Sequence, residues 1–163
     1  MNKVKIITAR KSGPDITSND IAIFYSDSGL VKAKLTGPQM DNYVTNKPYV
    51  EFPKGFKMFF YDEHMKVSSW MRANYGIRRE KEKIMEAKND VVVVNEKGEQ
   101  LNAEHLIWEE EKQLIHSDKF VKITTADEII YGDGFESNQD FTKYKIFKIR
   151  GTISLKNQKD KPL

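Results

Sequence analysis

A chain of 163 residues with 39% hydrophobic and 11% aromatic residues is long enough to bury a core and too apolar to stay disordered. Charged residues reach 31%, yet their signs nearly cancel at +3, and a pI near 8.9 is too mild for a dedicated nucleic-acid binder. Cysteine is absent, which excludes disulfides, thiolate metal sites and cysteine nucleophiles; no apolar run reaches the roughly 18 residues of a membrane span, and "MNKVKIITARKSGPD" lacks the apolar stretch of a signal peptide.

Residues 1–18 carry few apolar groups and read as a flexible arm. "DIAIFYSDSGLVKAKL" reads as a hairpin. Ile21, Ile23 and Tyr25 share one strand face, and Ser26 to Gly29 supply the turn, with Gly29 free to take positive φ. Val31, Ala33 and Leu35 face one way in the return strand, Lys32 and Lys34 the other. Pro38, Pro48 and Pro53 interrupt the next stretch and argue against helix there. "FKMFFYDEHMKV" repeats the hairpin plan, and "NDVVVVNEKGEQLNAEHL" gives a β-branched run and a turn through Asn95, Lys97 and Gly98.

Two charged stretches are ambiguous. "RREKEKIMEAKND", at 78–90, has strong helix propensity, and so has the acidic run at 109–112. Yet "NYGIRREKEKIMEAK" and "HLIWEEEKQLIHSDK" share one shape: a short apolar strand, a charged knot, a second strand. The repeat favours hairpins in both places. Leu101 and Ala103 have the opposite parity to Leu106 and Trp108, which predicts a β-bulge near Glu104 or His105. "DGFESNQD", at 133–140, has oxygen ligands without the spacing of a calcium loop and reads as a plain loop. "FKIRGTISLK" alternates strictly, with Phe147, Ile149, Gly151, Ile153 and Leu155 on one face, as a half-buried strand does. The chain is therefore expected to be all-β: an antiparallel, twisted jelly roll of about a dozen strands over residues 19–156, with a frayed tail at 157–163.

Catalytic signatures are missing: no GxSxG, P-loop or GxGxxG occurs. The three histidines are His64, His105 and His116. His105 and His116 flank the acidic knot, but no HxH or HxxxH pair supports a metal site. No catalytic residue, metal or cofactor is assigned, and the chain is read as no enzyme.

"GEQLNAEHLIWEEEKQLIHSDKFVKI" followed by "IIYGDGFESNQDFTKYKIFKIRGTIS" resembles the LptC family, the periplasmic bridge component of lipopolysaccharide export, over roughly residues 19–155. The resemblance implies a boat-shaped, open-edged jelly roll whose apolar groove holds lipid acyl chains. It also implies stacking by edge-strand pairing with neighbouring jelly rolls. The partners so implied are lipopolysaccharide, the jelly-roll domains of an inner-membrane ABC transporter, and an LptA-like periplasmic bridge protein; nucleic acid is not among them. Homodimers or end-to-end stacks would use the same edges. Family members carry an N-terminal membrane helix that this sequence does not show, so a periplasmic location with an anchor outside the chain is the expectation. Two family glycines match by position: Gly29 in the first hairpin and Gly132 in "YGDGF" near the groove. Each also has a local explanation, Gly29 as a turn residue and Gly132 as a bulge or tight bend.

The inward positions expected to wall the groove are Ile23, Tyr25, Ala33, Phe60, Trp70, Val93, Leu106, Trp108, Ile115, Phe120, Ile123, Phe135, Tyr144 and Ile146; an ordinary sandwich core would use the same residue types. The partner edges are assigned to Ile21, Ile23 and Tyr25 toward the transporter, and to Phe147, Ile149, Ile153 and Leu155 toward the bridge protein. Lys32, Lys34, Lys119 and Lys122 are candidates for meeting lipid phosphates or for a solvated outer face. Alternatives are a carbohydrate-binding sandwich, which needs Trp70 or Trp108 outside, and an adaptor module with a fully packed core.

Overall fold

The structure, a computed structural model, describes residues 13–155. The first part of the expected arm and the whole C-terminal tail lie outside those residues. Among the described residues every element is a strand: β1 (Ile16–Asp27), β2 (Leu30–Tyr43), β3 (Tyr49–Phe52), β4 (Phe56–Tyr61), β5 (Val67–Ala73), β6 (Tyr75–Arg79), β7 (Ile84–Val94), β8 (Gln100–Glu109), β9 (Leu114–Thr124), β10 (Glu128–Asn138), β11 (Tyr144–Ile146) and β12 (Ile149–Ser154). All belong to one antiparallel sheet of twelve strands, the architecture of an open jelly roll, and β1 begins at Ile16.

Local chemistry sets the turns. Ser28 and Gly29 both have positive φ, 53° and 80°, and join β1 to β2 with Asp27 opposite Leu30. That is the primed two-residue turn that matches strand twist. In the β7–β8 connection the Asn95 Oδ1 accepts from the Lys97 and Glu99 amides, and Gly98 takes φ 78°. The two charged knots are the β6–β7 and β8–β9 turns. Each ends on a residue at φ 52°, Lys83 in one and Gln113 in the other, and the Glu110 amide donates to the Lys83 carbonyl at 3.0 Å. Helix propensity loses here because each knot is too short to bury a helical face, whereas the flanking strands bury theirs.

A crease runs across the long strands and folds the sheet on itself. β7 pairs with β6 through residues 84–88 and with β5 through 92–94; between them Asn89 and Asp90 take φ 67° and 52° and the register to β8 shifts. β8 shifts register against β9 between Ala103 and Ile107, the bulge that the parity break predicts. β10 breaks near Gly132 and Gly134, and β1 at Asp20, φ 51°. One wing contains β4 and β5, the other β3 and β6, and β1, β2 and β7 to β10 cross both. Their inward faces pack together: Phe52 lies 5.8 Å from Phe56 near the crease, and Tyr25 and Phe60 lie 5.7 and 5.8 Å from Trp108 at the far rim.

No helix forms around Pro38, Pro48 and Pro53, as expected, and β2 runs through Pro38 to Tyr43; that proline sits at the crease, where pairing is already irregular. Two local expectations are corrected. "DGFESNQD" is not a loop: β10 runs to Asn138, and only its last residues turn. Its glycines bend a strand. "FKIRGTISLK" is not one half-buried strand. Lys148, at φ 49°, separates β11 from β12, and Ile149 and Ile153 are 60% and 43% exposed. β12 pairs only with β10 among the described strands, so it is an edge with nothing packed on its apolar side.

Candidate functional site: the apolar interior and its two edges

The interior is built by alternation. On β2, β4 and β5 it takes Ala33, Leu35, Met58, Phe60 and Met71; on β7, β8 and β9 it takes Met85, Ala87, Val93, Leu101, Leu106, Trp108, Ile115, Val121 and Ile123. Most of the expected groove residues are here: Ala33, Phe60, Val93, Leu106, Trp108, Ile115, Ile123 and Phe135 are all buried. Ile21, Ile23, Tyr25 and Met40 at the β1 end, and Tyr144 and Ile146 at the β11 end, pack against this cluster but are only partly buried. The apolar interior thus runs across the strands from one free edge of the sheet to the other, fully buried in the middle and partly buried at both ends.

Trp70 and Phe120 are corrections. Trp70 pairs with Phe59 and Val94 on the outward face, while its neighbours Ser69 and Met71 are buried. β5 is apolar on both sides, so its parity cannot be read without its partners. Phe120 is 49% exposed and stacks on the Tyr131 ring at 5.9 Å outside. β9 keeps Ile115, Ser117, Val121 and Ile123 inside, and an even position therefore faces out.

The interior is filled by side chains. A void beneath Phe141, lined by Val93, Leu101, Ile123 and Phe135, holds only about 20 Å³. At the rim opposite the crease the wings are clasped. Trp108 meets Tyr25 and Phe60 edge-on, and its indole N–H donates to Gln139 Oε1 at 3.0 Å. Phe141, in the β10–β11 turn at φ 59°, is 3% exposed and lies 6.0 Å from Phe60. Asn95 Nδ2 donates to the Phe141 carbonyl, and the Tyr144 hydroxyl donates to Glu99. Burial pushes the Tyr25 hydroxyl up to about 12, with Arg78 opposing and Glu110 reinforcing; burial and the Glu99 bond do the same for Tyr144. Sequence reading missed Phe141, a lone aromatic within the polar run "SNQDFTKY", which was itself the available signal.

Gly29 is an exposed turn residue with open space around it. Gly132 is buried, and a methyl there would collide with Ile146 Cγ2 and stand 2.9 Å from the Phe147 carbonyl. It lets the edge at the β11–β12 break lie directly on β10. Lys32 and Lys34 alternate with the inward Ala33 and Leu35, Lys122 with Val121 and Ile123, and Lys119 is exposed. These four lysines belong to the outer face and the crease. His116 bonds Glu109 at 3.0 Å and His105 lies 3.8 Å from Glu86; no group of metal-ligating side chains occurs among the described residues.

A single antiparallel sheet folded over an apolar interior, with β1 at one edge and β11 and β12 at the other each unpaired on one side among the described residues, defines an open-edged jelly roll. The chain belongs to the LptC family: the family model described as lipopolysaccharide-assembly, LptC-related, matches residues 5–153. Membership places it among the transport proteins of lipopolysaccharide assembly in the periplasm, with the other components of that system as its partners. No curated protein matches the chain. No helix among the described residues is long and apolar enough to cross a membrane.

Proposed function

We propose that the interior carries lipopolysaccharide acyl chains and passes them from the inner-membrane ABC transporter to the next bridge protein. The β1 edge, with Ile21, Ile23 and Tyr25, receives the transporter's jelly-roll domain. The β11–β12 edge, with Phe147, Ile149, Ile153 and Leu155, receives the bridge protein. The observation that supports this reading is the pair of half-buried apolar ends, Ile21, Ile23, Tyr25 and Met40 at one and Tyr144 and Ile146 at the other. A closed adaptor would cap both ends. Strand addition there would extend the sheet and the apolar lining together.

Acyl chains require the clasped wings to part. Core side chains then exchange contacts with each other for contacts with lipid, which is nearly neutral in apolar area. Each methylene taken from water contributes roughly 0.8 kcal/mol, against about 0.5–1.5 kcal/mol for each aromatic pair broken at the rim. One acyl chain offsets the opening. Handover then needs only a similar interior next door, and net movement draws on the ATPase.

The two tryptophans provide the test, one on each face of the sheet. In a Trp70→Phe variant, lipopolysaccharide with brominated acyl chains should quench Trp108; in Trp108→Phe, Trp70 should be unaffected. Quenching of Trp70 alone would contradict interior binding, and a sugar-induced shift confined to Trp70 would favour a carbohydrate-binding face. A photo-crosslinker at Ile149 or Ile153 should yield an adduct with the bridge protein in cells.

A further inference from the structure

Arg78 faces inward. It follows the buried Gly76 by two residues in β6, and its register partners Val50 and Met85 are 8% and 1% exposed. Its side chain ends at the rim, where the guanidinium lies 5.7 Å from the Tyr25 ring. Tyr25 in turn touches Trp108, so this cation sits beside the mouth of the interior. Nε and Nη2 donate to the two carboxylate oxygens of Glu110 at 2.7 and 3.0 Å, and the two side chains are only 21% and 15% exposed. The Glu110 hydrogen bond holds the guanidinium firmly charged. Two of the five guanidinium N–H groups are thus engaged within the chain; among the described residues no other acceptor bonds them.

A half-buried arginine at the end of an apolar interior is costly as a purely structural device, since a hydrophobic pair of similar volume would close the rim as well. Its fork matches a phosphate as it matches a carboxylate. Glu110 stands on a turn between Glu109 and Glu111, and both of those have cationic partners of their own: Lys112 for Glu109, which also bonds His116, and Lys83 for Glu111. Once displaced from Arg78, the Glu110 carboxylate has only to swing into solvent.

Resting on the lipid-carrier reading, we propose that Arg78 docks the phosphate of a phosphorylated, acylated sugar at the mouth of the interior, and that Glu110 holds its place until the lipid arrives. Acyl chains supply affinity, and Arg78 supplies the preference for a phosphorylated headgroup and fixes which end of the lipid stays at the rim. The outward lysines do not share this role, because they lie on the other face of the sheet.

The experiment compares lipid A with its dephosphorylated form in detergent micelles, read by Trp108 fluorescence in the Trp70→Phe background. The protein should prefer the phosphorylated form by on the order of tenfold. Arg78→Lys should retain part of that preference. Arg78→Met/Glu110→Gln, which leaves no orphaned carboxylate, should abolish it without weakening the dephosphorylated ligand. Glu110→Gln alone should tighten the phosphorylated form by removing its competitor. Equal preference in all variants, or none in the parent protein, would overturn the Arg78 assignment while leaving interior binding intact. If neither lipid perturbs Trp108, the carrier reading falls, and the Arg78 assignment with it.

Discussion

Gly132→Ala separates a packing role from a lipid-contacting one. The added methyl would overlap Ile146 Cγ2 and stand 2.9 Å from the Phe147 carbonyl oxygen, where ordinary contacts begin at 3.4 Å. Ile146 is half-buried and has room to turn aside. The carbonyl has less freedom, because it accepts the Asp133 amide at 3.1 Å while the Phe147 amide donates to Gly134 at 3.0 Å. Retreat by roughly half an ångström stretches that first bond beyond useful length. Overpacking of about 1–3 kcal/mol and a lost hydrogen bond of about 1 kcal/mol give roughly 2–4 kcal/mol together. With a urea slope of about 2 kcal/mol/M, the midpoint should fall by about 1–2 M. Hydrogen exchange should quicken at residues 144–154 and stay slow in β4 and β8, since the strain falls on the edge. An unchanged midpoint with unchanged exchange at that edge would refute the argument, and a loss of lipid binding under those conditions would make Gly132 a lipid contact instead.

Gly29→Ala should cost only about 1 kcal/mol, the strain of a left-handed alanine in open space, and Gly29→Asn less; a much larger loss in urea titration would show that the turn is packed against something. Phe141→Ala should destabilise by about 3–5 kcal/mol, because the ring is 3% exposed and borders an existing void; a loss under 1 kcal/mol would mean the turn swings freely. Tyr25, Tyr75 and Tyr144 are pushed to about 12, in each case chiefly by burial. The folded chain keeps protons that the unfolded chain sheds near pH 10. Their stabilisation is therefore whole below pH 10 and declines as pH rises toward 12. Tyrosinate absorbance should show at least three of the seven tyrosines titrating late in the native protein and early in urea.

The resemblance to a lipopolysaccharide-transport family rested on the same stretches that form β8 to β12, and the family match over residues 5–153 bears it out. Hairpins were legible for the same reason. Period-two alternation, Ser28–Gly29 and the Asn95–Gly98 turn are local signals, and the repeated knot shape outweighed helix propensity at 78–90. The bulge in β8 was legible as well, since a parity break between Ala103 and Leu106 leaves no other regular solution.

What sequence alone determined, then, was which segments extend, where they turn and which family they join, because those depend on residues close together in the chain. Only the tertiary structure decided which face is inside and which edge is free. Trp70 faces out because Phe59 and Val94 flank it, and β12 leaves Ile149 and Ile153 bare because no further described strand lies beyond it. Arg78 points inward because Val50 and Met85 do. Burial depends on what lies opposite, and the opposite strand is chosen by pairings far apart in sequence, whose free energy no local pattern records.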